Sequence, residues 1–192
     1  MAGLNSIKDF FDSMASSWDD DKSDEAGAKK IVKQFSEKIE GKNILDVGCG
    51  TGVLYQPLID AKAASITSID LSDKMIKIAK EKFPEGNFIC DNVLTWKTDL
   101  KFDTIIMYNV YPHLIDIDAL IDKIAQLLVP GGSFIVAHGS SRDQINAHHS
   151  SHAMEVSRKL LKAQEEAEAW RKKFNVEIIR DNELYYFSGT LN

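Results

Sequence analysis

The chain has 192 residues, 44% apolar and 27% charged, and its 23 basic and 29 acidic side chains give a formal net charge of −6. That length and balance suit one globular domain with a sizeable core, and the acidic surplus disfavours a broad phosphate-binding surface, so nucleic acid is not the expected partner. Two cysteines make neither a disulfide framework nor a zinc spacing. No apolar run reaches the roughly 18 residues of a membrane span, and Met1 to Asp21 lack the order of a secretion signal. A cytoplasmic protein with reduced thiols is expected.

Residues 1–40 read as helices and loop. Ile7, Phe10, Phe11 and Met14 recur at helical spacing. Ser16 to Asp21 form a polar, acidic loop that carries Trp18. A second helix puts Ile31, Val32, Phe35 and Ile39 on one side and ends at Gly41. A strand then covers Asn43–Val47 and runs into Gly48-Cys49-Gly50-Thr51-Gly52. Ile44, Leu45 and Val47 are residue types of a strand covered on both faces. The glycines remove every Cβ where the chain turns, so φ > 0 is open to them and a ligand can approach the main chain. A strand followed by a glycine turn is the general nucleotide site of doubly wound α/β folds.

The spacing G-x-G-x-G, with no lysine after it, argues against a phosphate-cradling P-loop and departs from the dinucleotide pattern G-x-G-x-x-G. Asp46-Val47-Gly48-Cys49-Gly50-Thr51-Gly52 resembles the first motif, D-x-G-x-G-x-G, of the class I S-adenosylmethionine-dependent methyltransferases. The resemblance implies a seven-stranded Rossmann-like α/β sheet, mostly parallel with an antiparallel last strand. It also implies S-adenosyl-L-methionine as donor and S-adenosyl-L-homocysteine as product.

A second strand, Ala64 to Asp70, ends on a carboxylate 22 residues after Gly48. A carboxylate there can accept hydrogen bonds from both ribose hydroxyls. The alternative is a helix cap, since Leu71 to Met75 begin a helix, although Ser72 can itself be that cap. Met75 is placed against the adenine or in the core. The third strand is Asn87–Cys90, followed by Asp91-Asn92-Val93. In the resembled family an acidic residue at the place of Asp91 accepts from the adenine amino group. The cofactor set implied by the resemblance is thus Asp46, Gly48, Cys49, Gly50 and Gly52, then Asp70, Leu71 and Met75, then Asp91, Asn92 and Val93, with Asn109 from the next strand.

Phe102 to Val110 is a near-continuous apolar run, a central strand. Asn109 to His113 resembles the N-x-x-x-H stretch of small-molecule methyltransferases and is not the N/D-P-P-Y motif of amino-methylating enzymes. Tyr111 is a candidate substrate contact, and His113 a candidate base. A helix follows over Asp116 to Leu128, then a turn at Val129-Pro130-Gly131-Gly132 and a fifth strand, Ser133 to Ala137. Phe10 to Asp19 is similar to the N-terminal lid of the ubiquinone/menaquinone-biosynthesis-like methyltransferases, which makes Trp18 a candidate substrate contact.

Residues 138–152 hold four of the five histidines. Ser141 to Gln144 fit a capping box, so a helix starts near Arg142 and puts Arg142, Asn146 and His149 on one face. One reading makes Arg142 and Asn146 substrate contacts and His149 a second candidate base; another makes His148 and His152 metal ligands; a third is a solvated surface helix. No metal is assigned. A long helix is expected over Met154 to Lys173, then a strand pair, Val176–Ile179 and Leu184–Phe187, joined at Asp181-Asn182.

The expected organisation is one domain: a lid over 1–40, a cofactor core over 41–138, substrate-side helices over 139–173 and a strand hairpin over 174–192. The expected function is methyl transfer to a small-molecule acceptor, by a monomer or homodimer off the membrane. Methylation of RNA or protein, a non-catalytic cofactor-binding module and a nicotinamide-dependent oxidoreductase are the alternatives.

Overall fold

The computed structural model describes residues 3–20, 23–153 and 155–192. Seven strands form one sheet: β1 (Asn43–Val47), β2 (Ser65–Asp70), β3 (Asn87–Cys90), β4 (Phe102–Tyr108), β5 (Leu128–His138), β6 (Phe174–Asp181) and β7 (Tyr185–Leu191). Their order across the sheet is β3-β2-β1-β4-β5-β7-β6. The β1–β2, β1–β4, β2–β3 and β4–β5 pairs are parallel, whereas β7 runs antiparallel to both β5 and β6. The strand order therefore reverses between β1 and β4, which opens a crevice at their carboxyl ends.

The pleat divides the apolar residues between two cores. Leu45, Val47, Ile105, Met107, Phe134 and Val136 face α5 (Ile117–Leu127) and α7 (Ala163–Trp170). There the Phe134 and Trp170 rings stack at 4.0 Å. Ile44, Ile106, Tyr108, Ile135 and Ala137 face the other way, toward α2 (Ser23–Gln34) and α3 (Tyr55–Asp60). This is why the strands read as continuous apolar runs: each is covered on both faces. Cys49, Ile76 of α4 (Asp73–Lys82), Ala79 and Phe88 make a third, small cluster beside the glycine turn.

The expected strands, and the helix starts at Ser72 and Ser141, agree with the fold. Ser72 Oγ accepts from Met75 N, and Ser141 with Gln144 completes the capping box of α6 (Arg142–His152). Three expectations are corrected. The acidic loop after α1 (Leu4–Met14) is a 3₁₀ helix, Ala15–Asp20, with Asp21 outside the described residues. The expected turn at Val129 to Gly132 is a bulge inside β5, whose partner register passes from Leu128 to Ser133, and Gly131 (φ +72°) supplies the left-handed residue.

The third correction concerns the long helix. Only Ala163–Trp170 is helical, and residues 155–162 run as an irregular strap, with Met154 outside the described residues. The strap's N–H groups are taken by distant acceptors: Arg158 N donates to Pro112 O (2.9 Å), Leu160 N to Asn146 Oδ1 (2.9 Å) and Leu161 N to Glu166 Oε1 (3.0 Å). Its helix-favouring composition is overridden by these bonds.

Candidate active site

The glycine turn holds three positive φ angles, at Gly48 (+71°), Gly50 (+52°) and Gly52 (+91°). A Cβ on Gly48 would lie 2.2 Å from a Val110 methyl carbon, so only glycine lets β4's end close over the turn. Gly48 N and Cys49 N both donate to Ile69 O (2.8 and 3.2 Å). Asp70 ties the two sides together: Gly50 N donates to its Oδ2 (2.9 Å) and Ser72 N to its Oδ1 (2.8 Å). Burial pushes the Asp70 carboxyl up, against the pull of those N–H groups.

A cavity of about 350 Å³ opens beside this turn, with a mostly apolar wall. It brings together Gly48, Cys49, Gly50, Asp70, Leu71, Met75, Asp91, Asn92, Val93 and Asn109, and also Trp18 and His113. Asp91 is exposed and accepts from Asn92 N through Oδ1 (2.7 Å). Asn109 takes φ +55°, which Asn tolerates better than most residues. Its Nδ2 donates to Asp24 Oδ1 (3.0 Å), and its Oδ1 accepts from Gly139 N (3.0 Å).

Leu4, Ile7, Phe11 and Trp18 of the N-terminal residues line part of this cavity. Asp12 accepts from Lys8 and from Ser72 Oγ (2.5 Å), and Lys8 also pairs with Asp73. Asp19 accepts from Thr51 Oγ1 (2.6 Å) and Lys82 Nζ (3.0 Å). Trp18 Nε1 stands 3.5 Å from where a Cβ on Gly50 would be, and the Trp18 ring meets the Phe11 ring edge-on at 5.7 Å.

His113 is buried in the cavity wall. Its Nδ1 lies 2.9 Å from Val156 O. A carbonyl only accepts, so Nδ1 carries the proton and Nε2 keeps its lone pair. Burial lowers the His113 pKa, which keeps the ring neutral near pH 7. Its ring packs edge-on against Phe11 (4.8 Å) and His149 (4.9 Å).

Other expected residues fall elsewhere. Asp46 lies buried outside the cavity lining, one carboxylate oxygen without a partner, and burial, then the charge of Asp70, pushes it up to about 8. Gly52 shapes the turn against Phe83 and Phe88 and does not line the cavity. Tyr111 turns into the core, its hydroxyl donating to Glu166 Oε2 (3.2 Å) and accepting from Trp170 Nε1 (3.1 Å). Arg142 faces a separate polar groove beside Asp181, and Asn146 is spent on both backbone groups of Leu160. His149 stands behind His113, and burial lowers its pKa to about 4. None of these six residues, expected as ligand contacts, lines this cavity; for Tyr111, Arg142, Asn146 and His149 the reason is side-chain direction, which spacing does not reveal. No group of three metal-capable side chains occurs among the described residues, and the His152 side chain lies outside them.

Residues 44–132 match the methyltransferase-domain family. A ubiquinone biosynthesis O-methyltransferase from Mesorhizobium japonicum is 39% identical over 103 residues, 51% of this chain and 41% of that protein. In this domain match and in its fold the chain is similar to the class I S-adenosylmethionine-dependent methyltransferases. A malonyl-[acyl-carrier protein] O-methyltransferase from Acetivibrio thermocellus is 31% identical over 71% of this chain and 48% of its own length. The chain thus spans less than half of either curated relative. The solved structure of N-methyltransferase NodS from Bradyrhizobium japonicum WM9, in complex with S-adenosyl-L-homocysteine, shares the fold with a TM-score of 0.74 at 15% identity, covering 96% of this chain and 98% of that one. Among the described residues, no helix is long and apolar enough to cross a membrane.

Sequence reasoning missed Asp24, Ile7, Phe11, Val110 and Ile115 as cavity residues. Asp24 carried a misleading signal, because an acid in the first turn of a helix reads as a complement to the helix dipole.

Proposed function

We propose that this methyltransferase alkylates a hydroxyl on a small, largely apolar acceptor, with His113 as the base. The observation that carries the reading is His113 in the wall of the cavity that the glycine turn and Asp70 also line, its Nδ1 taken by Val156 O at 2.9 Å, which leaves Nε2 as the nitrogen for a base. Ile7, Phe11, Leu114 and Ile115 supply the apolar lining on the His113 side. The O-methyltransferase names of the curated relatives favour oxygen as the atom methylated.

The residues present fit S-adenosylmethionine. Asp70 has acceptor capacity for a ribose diol, Asp91 can accept from an exocyclic amine, and Asp24 beside Asn109 can accept from an ammonium group at the opposite side of the cavity. When bound, the donor supplies a methyl group made electrophilic by its sulfonium. The protein's part is to align acceptor and donor and to exclude water, the work we assign to residues 3–20, which supply Leu4, Ile7, Phe11 and Trp18 to the cavity wall. With the donor bound, His113 Nε2 would take the acceptor's proton as the O–C bond forms and the sulfonium's S–CH₃ bond breaks to leave a neutral thioether, a contribution of about 10²–10⁴-fold.

The test is calorimetric titration of metal-stripped protein with S-adenosylhomocysteine and, separately, NAD, followed by mass-detected methyl transfer to a panel of phenols and carboxylic acids. Micromolar binding of S-adenosylhomocysteine alone, with transfer that His113→Gln reduces at least a hundredfold, is expected. Transfer that His113→Gln leaves unchanged removes the base assignment. Binding without transfer to any acceptor favours the non-catalytic module.

A further inference from the structure

We propose that the Arg158–Glu166 ion pair, buried at its Glu166 end, is a positioning device for His113: it holds the 155–162 strap so that the Val156 carbonyl fixes which ring nitrogen carries the proton. The inference rests on the reading of His113 as the base.

Neither Arg158 nor Glu166 lines the cavity. Glu166, on α7, is only 5% exposed. Arg158 meets it with both ends of its fork, Nη1 to Oε1 at 2.6 Å and Nη2 to Oε2 at 3.2 Å. The same carboxylate accepts from Leu161 N (3.0 Å) and the Tyr111 hydroxyl (3.2 Å), so its remaining lone pairs are used. The Arg158 guanidinium also lies over the Tyr111 ring, 4.6 Å from its centre. The pair thus binds the strap to α7 on one side and to Tyr111 on the other.

Tyr111, Pro112 and His113 form one 3₁₀ turn at the end of β4. The strap touches that turn three times: through Tyr111, through Arg158 N to Pro112 O (2.9 Å), and through Val156 O to His113 Nδ1 (2.9 Å). Arg158 is two residues from Val156, so a fixed Arg158 fixes the carbonyl. Which imidazole nitrogen holds the proton is decided by the partner of the other. With the carbonyl in place, Nδ1 is the donor and Nε2 is free to accept. Without it, the tautomer with the proton on Nε2 becomes accessible, and that form cannot act as a base toward the cavity. Such a pair, half-buried at Arg158 and buried at Glu166, is weak as a source of stability, whereas its bidentate geometry fixes direction. The arrangement suits a residue whose task is orientation.

The test is nitrogen NMR on ¹⁵N-histidine-labelled full-length protein, the His113 signals being assigned by their loss in His113→Gln. In the parent, Nδ1 should appear as the protonated nitrogen and Nε2 as the bare one. The double variant Arg158→Met/Glu166→Gln removes both charges together and strands neither. Folded by circular dichroism, it should show a mixture of both tautomers at His113. Arg158→Lys, which keeps the charge pair, should restore most of the parent pattern. Where the double variant does not fold, Glu166→Gln alone, which keeps volume and one acceptor oxygen, gives the same reading. A folded double variant with the parent tautomer, or a parent with its proton on Nε2, overturns the proposal. If the tautomer responds as expected but His113→Gln leaves methyl transfer unchanged, the base assignment fails and the positioning result stands.

Discussion

Asp70 carries two separable tasks, and its replacement by Ala measures both. In the ligand-free protein its oxygens accept from Gly50 N and Ser72 N. Ser72 is fully buried, so its orphaned N–H costs about 1–3 kcal/mol; Gly50 is half-buried and water can reach it, so its loss is small. A total of about 2 kcal/mol lowers Tm by roughly 4–8 °C for a chain of this size. The second task is toward the cofactor. Loss of the ribose hydrogen bonds to a carboxylate weakens binding by about 1–3 kcal/mol, or roughly 5- to 150-fold in Kd. Thermal unfolding reads the first effect and calorimetric titration with S-adenosylhomocysteine the second. A variant that melts several degrees lower yet binds S-adenosylhomocysteine as tightly as the parent refutes the ribose assignment. One that melts unchanged refutes the claim that Asp70 organises the turn.

Asp24→Asn should weaken S-adenosylhomocysteine binding about tenfold, the worth of one charge-assisted hydrogen bond. It should leave methylthioadenosine, which lacks the amino-acid end, bound as before; equal weakening of both would place Asp24 elsewhere. Gly48→Ala meets a left-handed φ and the Val110 side chain at once, so it should lose cofactor binding, and adding Val110→Gly, which also removes the Val110 Cβ that would stand 2.6 Å away, should relieve the clash but not the roughly 1–2 kcal/mol of backbone strain. The pH dependence has two limbs. Asp46, raised to about 8, holds a proton in the folded state that the unfolded chain releases near pH 4, so stability falls as pH rises toward 8, by up to about 1.4 kcal/mol per unit. His138, lowered to about 3, and His149, lowered to about 4, act oppositely: the unfolded chain binds their protons below about pH 6.5, so stability is lost as pH falls. Thermal unfolding across pH 5–8.5 should peak near 6.5, and Asp46→Asn should flatten the alkaline limb; a curve rising steadily to pH 8 would contradict the buried Asp46.

Features set by near neighbours were legible in the amino-acid order. The apolar run into Gly48-Cys49-Gly50-Thr51-Gly52 specifies a covered strand and a left-handed turn, because those requirements act within a few residues. The same locality explains why the caps at Ser72 and Ser141 were readable, and why Asp70, at the end of its strand, faced the turn. Tertiary structure decided the rest. The 155–162 strap has the composition of a helix and is straightened by acceptors on Pro112, Asn146 and Glu166. Tyr111 stands two residues from His113, yet one faces Trp170 in the core and the other the cavity. Asp24 reaches the site only because α2 packs against the end of β4, 85 residues away in sequence. Spacing along a chain fixes which residues share an element, but which of them face a common cavity is settled by how distant elements pack, and that depends on contacts no local pattern encodes.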